Sequence, residues 1–299
     1  MALPIVELQG EETKATSPVS EGGRAWRHFR RNRGAVIALW VLGIVVLAAI
    51  FAPWIAHQSP YAQNLANALL APSGAHLLGT DEYGRDEFAR VLFGARTALE
   101  TGLVVVAISM TIGTLWGVLS AFYGGIWDML LMRVADVFMA FPFLLLALMI
   151  VAALGPGLVQ AEIAIAITYM PVYARLVRSV GLGLKSLEFV QAAKSVGARD
   201  ATIMRRHFLP NLLPTLLVQA TLNIGTAIID VAGLSFLGMG VQPPTADWGA
   251  MLSDGQNFIL TSPWLVLAPG IAILIVVLAA NLVGDGLRDA LDPRMRHQA

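Results

Sequence analysis

"QAAKSVGARDATIMRRHFLP", residues 191–210, is a polar island between two oily stretches, "IAIAITYMPVYARLV" (163–177) and "LLPTLLVQATLNIG" (212–225). It carries Lys194, Arg199, Asp200, Arg205, Arg206 and His207 in a chain of 299 residues that is 57% hydrophobic and only 13% charged. A soluble chain usually carries about 25% charged residues, so the composition points to a polytopic membrane protein. A bilayer core takes roughly 20 apolar residues per helix. Six stretches meet that length: 34–56, 98–122, 127–153, 158–180, 213–237 and 263–285. The expected fold class is therefore all-α, with six transmembrane helices, and the island joins the fourth to the fifth. A plain connection between bundled helices needs only about 2–8 residues, so the island's excess length calls for a function.

Orientation follows from the placement of Lys and Arg. Arg24, Arg27, Arg30, Arg31 and Arg33 crowd the approach to the first span. With that end cytoplasmic, six spans return the C-terminus to the cytoplasm and put the island there too. Of the twenty Lys and Arg residues, only Arg85, Arg90 and Arg96 then lie outside. The chain divides into a cytoplasmic tail (1–33, its first 20 residues a flexible tail), a first span (34–56) and an external segment (57–97). A five-helix core (98–287) holding the loop 181–212 and a cytoplasmic C-terminal tail (288–299) follow.

Within the island, Phe189, Ala193 and Val196 recur at helical spacing and Gly197 supplies a C-terminal stop. Asp200 is placed to cap a second short helix, which Pro210 ends. Inside the spans, ionisable groups are costly and mark function by default. Arg133 and Asp136, three apart on one helical face, are expected to pair with each other. Glu100 and Glu162 lie near outer ends and are expected to reach water. Asp230 sits deep in the fifth apolar run, on a helix that also carries Gln219 and Asn223; it reads either as a helix–helix hydrogen-bonding group or as part of a substrate path. Pro142, Pro171 and Pro269 mark kinks, and "GTLWG" (113–117) fits a small-xxx-small packing face.

Other chemistries find no footing. The sequence has no GxxxxGK phosphate loop, no HExxH and no GxSxG, so ATP hydrolysis, zinc-protease and serine-hydrolase readings lack their motifs. With zero cysteines there is no thiolate chemistry. The five histidines show no helical metal spacing, and no metal site is expected. Two classes remain: a pore subunit energised by another protein, or a self-sufficient secondary carrier using Asp230 or Asp136 as a proton or cation site.

The island resembles the EAA loop of ABC importer permeases, whose pattern runs Glu-Ala-Ala, three residues, Gly, nine residues, a hydrophobic, any residue, then Leu-Pro. Ala192, Ala193, Gly197, Leu209 and Pro210 match at that spacing. Gln191 replaces the glutamate and His207 the hydrophobic, departures also found in the dipeptide, oligopeptide and nickel branch. "LGTDEYGRDEFARVLFGART" (78–97) resembles that branch's external segment, with Gly79, Thr80, Asp81, Gly84, Arg85 and Asp86 in place. "LSFLGMGVQPPTADWGAML" (234–252) and "GDGLRDALDPRMR" (284–296) resemble its fifth span's end and its closing segment, and Asp230 stands where a glutamate is more usual. The resemblance implies a type I ABC importer-like subunit of the second, C-type kind, in a bacterial or archaeal cytoplasmic membrane. Its partners would be a homologous second permease, two cytoplasmic ATPases and an external binding protein, with no nucleic acid. ATP and magnesium would be held by the ATPases and no cofactor by this chain, which would not itself be an enzyme. Gln191, Ala192, Ala193, Gly197, Ala198, Arg199, Asp200, His207, Leu209 and Pro210 would form the ATPase-coupling surface. Di- or oligopeptides are the expected cargo, with nickel complexes and glutathione as alternatives within the family. Asp81, Arg85 and Asp86 are expected mainly to pin the external segment.

Overall fold

The computed structural model describes residues 21–291, so the expected flexible tail and the last residues of the closing segment lie outside the described residues. A short α1 (Glu21–Arg31) leads into α2 (Arg33–Ile50), whose first turn is capped by the Asn32 side chain accepting from Ala35 N at 3.1 Å. After α3 (Ala52–Ile55) the chain wanders through an irregular lobe closed by a Thr80–Asp86 bridge and enters α4 (Glu87–Tyr123). Next come α5 (Gly125–Ala140), α6 (Phe143–Leu154) and α7 (Leu158–Lys185). The island holds α8 (Glu188–Ser195) and α9 (Asp200–Ile203), and a π turn (204–208) joins α9 to α10 (Leu209–Phe236). Finally α11 (Trp248–Gly255) and α12 (Trp264–Leu291) complete the described chain.

Five helical stretches are long and apolar enough to cross a membrane, and a sixth crossing is the pair α5–α6, bent by 95°. The kink expected at Pro142 in the 127–153 span is thus a full break into two half-helices. The break falls at Phe141–Pro142, because a residue before proline is driven out of the α region, and Phe141 is extended (ψ 141°). Pro171 and Pro269, by contrast, lie inside continuous helices. Residue contacts fix the directions of the helices. Lys185 Nζ donates to Ala121 O at 3.3 Å, so the C-terminal ends of α7 and α4 lie together and the two helices run the same way. Gly157 N, just before α7, donates to Met239 O at 3.3 Å, beyond the C-terminal end of α10. The α5–α6 pair must therefore cross from one end of the bundle to the other. Trp248 Nε1 reaches Val91 O at 3.0 Å and Trp264 Nε1 reaches Thr80 O at 3.4 Å, gathering the starts of α4 and α12 under one cap. At the opposite end, a Cβ on Gly286 of α12 would overlap Ala35 of α2. The beginning of α2, the end of α12 and the 186–208 loop consequently share the end away from the cap.

Two boundaries differ from expectation. Residues 87–97, expected as part of an external segment, are the first turns of α4, because Asp86 accepts from Ala89 N at 2.8 Å and caps the helix there. At 37 residues, α4 is about 55 Å long, well beyond the roughly 30 Å of a hydrocarbon core, so its first turns rise into the cap. The second island helix does not stop at Pro210; the helical stretch runs unbroken over Asp200–Phe236. Proline removes an N–H and crowds the carbonyl four residues back. Here the preceding turn is widened to π form, Leu209 N bonding Met204 O, and Pro210 falls in the first turn of α10.

One apolar core joins α4, α6, α7 and α10 around Val105, Val151, Ile165 and Val231. The α4–α7 contact is made close by Gly113 and Gly117: a Cβ on Gly113 would come within 2.6 Å of Met170 O, and one on Gly117 within 2.7 Å of Val177 Cβ. Both ends of the "GTLWG" stretch thus sit on the packing face. Glu162, expected to reach water, is instead 7% exposed, because α7 packs it beside Thr101 of α4.

Candidate coupling surface and membrane-depth charges

The loop begins where α7 ends. Gln191 Nε2 donates to Lys185 O at 2.8 Å and so ties α8 back to the last turn of α7. α8 ends in a paired cap: Ala198 N donates to Ala193 O at 3.0 Å and Gly197 N to Lys194 O at 2.9 Å. This is a Schellman motif, which needs a left-handed residue after the helix, and Gly197 has φ +76°. Asp200, expected as the next N-cap, is instead the first residue of α9, with Arg199 in the cap position and no side-chain cap bond. The turn at Gly197 aligns the chain one residue earlier than the spacing suggested.

Apolar side chains seat the loop on the bundle. Val190, Ile203 and Phe208 are fully buried with Val177 and Leu212. Phe208 meets Phe122 of α4 edge-on at 5.5 Å, and Lys194 Nζ lies 5.1 Å from the Phe122 ring centroid. Phe189 and His207 bring α8 against the π turn, ring centroids 5.8 Å apart. The opposite face is bare. Gln191, Ala192, Gly197, Arg199, Asp200 and Pro210 are exposed, while Ala193, Ala198, His207 and Leu209 are half-buried. Val196 is 82% exposed at the tip. Among the described residues, Arg199, Arg205 and Arg206 form no ion pair. A rigidly seated loop thus presents small and apolar groups ringed by unanswered cations.

The cap is built the other way. Asp81 Oδ1 accepts from Tyr83 N and Arg85 N, both at 2.9 Å, while its Oδ2 accepts from Arg85 Nε at 2.5 Å. Arg90 Nε lies 3.5 Å from the same oxygen, and Arg85 and Arg90 are only 4% and 3% exposed. Besides capping α4, Asp86 takes His76 Nδ1 at 2.9 Å. Thr80 Oγ1 donates to Asn67 O at 2.5 Å and accepts from Leu70 N at 2.8 Å. Gly79 and Gly84 both have positive φ. The charged and hydroxyl side chains Thr80, Asp81, Arg85 and Asp86 thus all bond within the lobe.

At membrane depth the charges pair between α5 and α7. The expected Arg133–Asp136 pair is present but long, at 3.9 Å, and Asp136 has a second, closer partner: Arg175 Nη2 of α7 donates to its Oδ1 at 2.7 Å. Arg133 points outward, being 79% exposed, and leaves Asp136 to the nearer guanidinium. One turn along α7, Arg178 grips both oxygens of Asp128, at 2.5 and 2.6 Å, and Ser120 of α4 also donates to Asp128. Asp128, Arg175 and Arg178 were not singled out by sequence reasoning. Their visible signal is two acids in one apolar stretch and two arginines in the next. Asp230 accepts from Tyr169 OH of α7 at 2.5 Å, and Gln219 Nε2 donates to Asn223 Oδ1 at 2.9 Å. Among the described residues no cluster of three or more His, Cys, Asp or Glu could hold a metal.

Comparison with known proteins gives these surfaces a context. Residues 113–297 match the family profile described as binding-protein-dependent transport system inner membrane component. Residues 20–72 match the N-terminal TM domain of oligopeptide transport permease C. The chain is 46% identical over 286 residues to the dipeptide transport system permease protein DppC of Alkalihalophilus pseudofirmus, covering 96% of this chain and 93% of that one. To the glutathione transport system permease protein GsiD of Escherichia coli it is 47% identical over 275 residues, 91% and 90% of the two chains. To the probable D,D-dipeptide transport system permease protein DdpC of Escherichia coli it is 43% identical over 291 residues, 96% and 98%. Among solved structures, a chain of the MetNI methionine ABC transporter superposes with TM-score 0.55 at 20% identity, covering 69% of this chain and 97% of that one. A chain of an amino acid ABC transporter does so with TM-score 0.51 at 16% identity, covering 66% and 92%. The structures share the fold; the profile and the relatives show that this chain belongs to the binding-protein-dependent transport system inner membrane components, the C-type membrane-spanning permeases of ABC importers, whose ATPase activity resides in partner subunits.

Proposed function

We propose that the chain is one half of a permease pair that carries short peptides, and that the 186–210 loop is its ATPase seat. The observation that carries the coupling role is the loop's two-sidedness: Val190, Ile203 and Phe208 anchor it, and the outward face is left small, apolar at Val196 and cationic at its rim. Such a face fits a groove with an acidic border on a cytoplasmic ATPase, one under each of two homologous permeases. The cap would then face outside and meet the binding protein that delivers cargo. The charge asymmetry supports this orientation, since Lys185, Lys194, Arg199, Arg205, Arg206 and the α1 arginines gather at the loop end. Both termini would accordingly be cytoplasmic. Peptide cargo is supported by the relatives named for dipeptides, D,D-dipeptides and glutathione, itself a short peptide. Closure of the ATPases on ATP would pull α8, and through its buried anchors α4, α7 and α10, into an outward-open arrangement; hydrolysis would reverse it. Rigid bundles rocking in this way need a firmly seated lever rather than a flexible one.

The test is reconstitution. Liposomes holding both permeases and both ATPases should accumulate a labelled dipeptide only with ATP and binding protein present. Accumulation by the purified chain alone would overturn the assignment, and accumulation of no peptide in the complete system would overturn the cargo.

A further inference from the structure

Asp230 is the feature least explained by packing. Among the described residues its bonded partner is Tyr169 OH, and no Lys, Arg or His forms an ion pair with it. The two aspartates of α5, Asp128 and Asp136, each have an arginine. An ionised carboxylate has room for about four hydrogen bonds, and one hydroxyl fills one of them. Asparagine would accept the same Tyr169 bond without the burden of a charge at membrane depth, where ionisable groups are costly. A negative charge on Asp230 therefore has no counter-charge among the described residues.

Its surroundings have a direction. Gln219, Asn223, Thr226 and Asp230 follow at spacings of four, three and four, which places them along one face of α10. Gln219, Asn223 and Asp230 are half-buried and Thr226 is exposed, whereas Ala220, Ala227 and Val231 beside them are buried in the core. Asp230 lies six residues before the end of α10 at Phe236, about 9 Å of helix rise, and thus toward the cap. A polar stripe at membrane depth that the fold leaves uncovered belongs either to a watered path or to a partner helix. The unanswered charge at its cap end favours the path.

We infer that the stripe Gln219–Asn223–Thr226–Asp230 lines the transmembrane path and that Asp230, held by Tyr169, receives the cationic α-ammonium group of the cargo as it leaves the cap. This rests on the peptide-importer reading above. The polar amides and the hydroxyl below Asp230 would then accompany the peptide bonds along α10, while the ammonium supplies the counter-charge that the chain itself withholds.

The absence of cysteine from the sequence makes a direct test available. In the assembled transporter, with a cysteine-free partner permease, the Thr226→Cys variant is exposed to thiosulfonates carrying either a trimethylammonium or a sulfonate group. Each rate is divided by that reagent's rate with a free thiol. The cationic reagent should react about tenfold faster, as expected for a charged cleft. Adding Asp230→Asn should abolish that preference and Asp230→Glu restore it, and dipeptide-loaded binding protein with ATP should slow the reaction. A Thr226→Cys thiol that reacts with neither reagent would mean that the stripe is sealed against the second permease, overturning the inference. Equal normalised rates, or a preference that survives Asp230→Asn, would also overturn it. Dipeptide uptake measured in the same liposomes separates the two readings: failed uptake with a cation preference intact removes the peptide cargo and leaves a cation-selective path.

Discussion

The cap at 76–90 and the loop at 186–210 share charged residues and left-handed glycines but are built in opposite ways. Each is a charged island punctuated by glycines in left-handed conformation, Gly79 and Gly84 in one and Gly197 in the other. In the cap the chain folds onto itself at those glycines. A Cβ on Gly79 would come within 2.6 Å of Leu70 O, and one on Gly84 would overlap the Asn64 backbone. Around Gly197 nothing lies within 4 Å of an added Cβ. Most of the cap's polar side chains are paired within it, Asp81 with Arg85 and Arg90 and Asp86 with His76 Nδ1, although Glu87 Oε1 and Arg90 Nη1 are buried without a hydrogen-bond partner. The loop's charges face solvent. Charge that is satisfied internally holds a chain together, whereas charge left open on a rigid seat is available to a partner.

Asp81→Ala should break the comparison most severely. It leaves Arg85 buried beside Arg90 without the carboxylate they share, and losing one partner of a buried pair costs about 3–5 kcal/mol. Thermal unfolding of the detergent-purified assembly should show a large fall in Tm; an unchanged Tm would mean that the cap is not held by this pair. The next largest effect comes from matched glycine variants. Gly84→Ala and Gly197→Ala share a left-handed backbone cost of about 1–2 kcal/mol, but only Gly84→Ala adds a collision. Gly84→Ala should therefore lower Tm clearly more. Gly197→Ala should lower Tm only slightly and reduce ATP-driven uptake about 5-fold or more, the low end of an ordinary coupling energy. Equal Tm losses would erase the distinction between the two regions. Smaller still in stability is Arg205→Ala with Arg206→Ala, expected within about 0.5 kcal/mol of wild type. Its effect should appear as weaker co-purification of the ATPases, and retained ATPase at raised salt would argue that these cations do not form the docking rim.

Sequence periodicity reached the spans, the Gly197 stop and the kink at Pro142 because each is dictated by neighbours within a turn or two. It missed the start of α4, since Glu87 and Arg90 look like loop residues until the cap that buries them is seen. Local spacing suggested Arg133 for Asp136, but a guanidinium 39 positions away lies closer. The Asp128–Arg178 pair spans 50 positions and the Trp248–Val91 bond 157. No spacing rule within one helix sees such pairs; they exist because α4, α5, α7 and α11 are brought together by packing. The candidate coupling surface was more legible than the cap because its exposed residues answer to a local motif. The cap's buried ones answer to the tertiary fold.

The finest contrast lies at the other edge of the cap, at Asp247. Burial pushes its carboxyl above the ordinary carboxylate value, and donation from Ala250 N, the Ser235 hydroxyl and Gly249 N, with the charge of Arg90, offsets this only in part. Between the ordinary value of 3.8 and the raised folded-state pKa, the folded chain holds this proton more tightly than the unfolded one. The resulting stabilisation is complete below that window and is lost as pH rises through it. Asp247→Asn keeps an acceptor for Ala250 N, and Asn caps a helix about as well as Asp. The variant should therefore unfold with a flatter Tm profile across the window and match or exceed wild type above it. A profile parallel to wild type would mean that this carboxylate is well solvated and that the cap is open at α11.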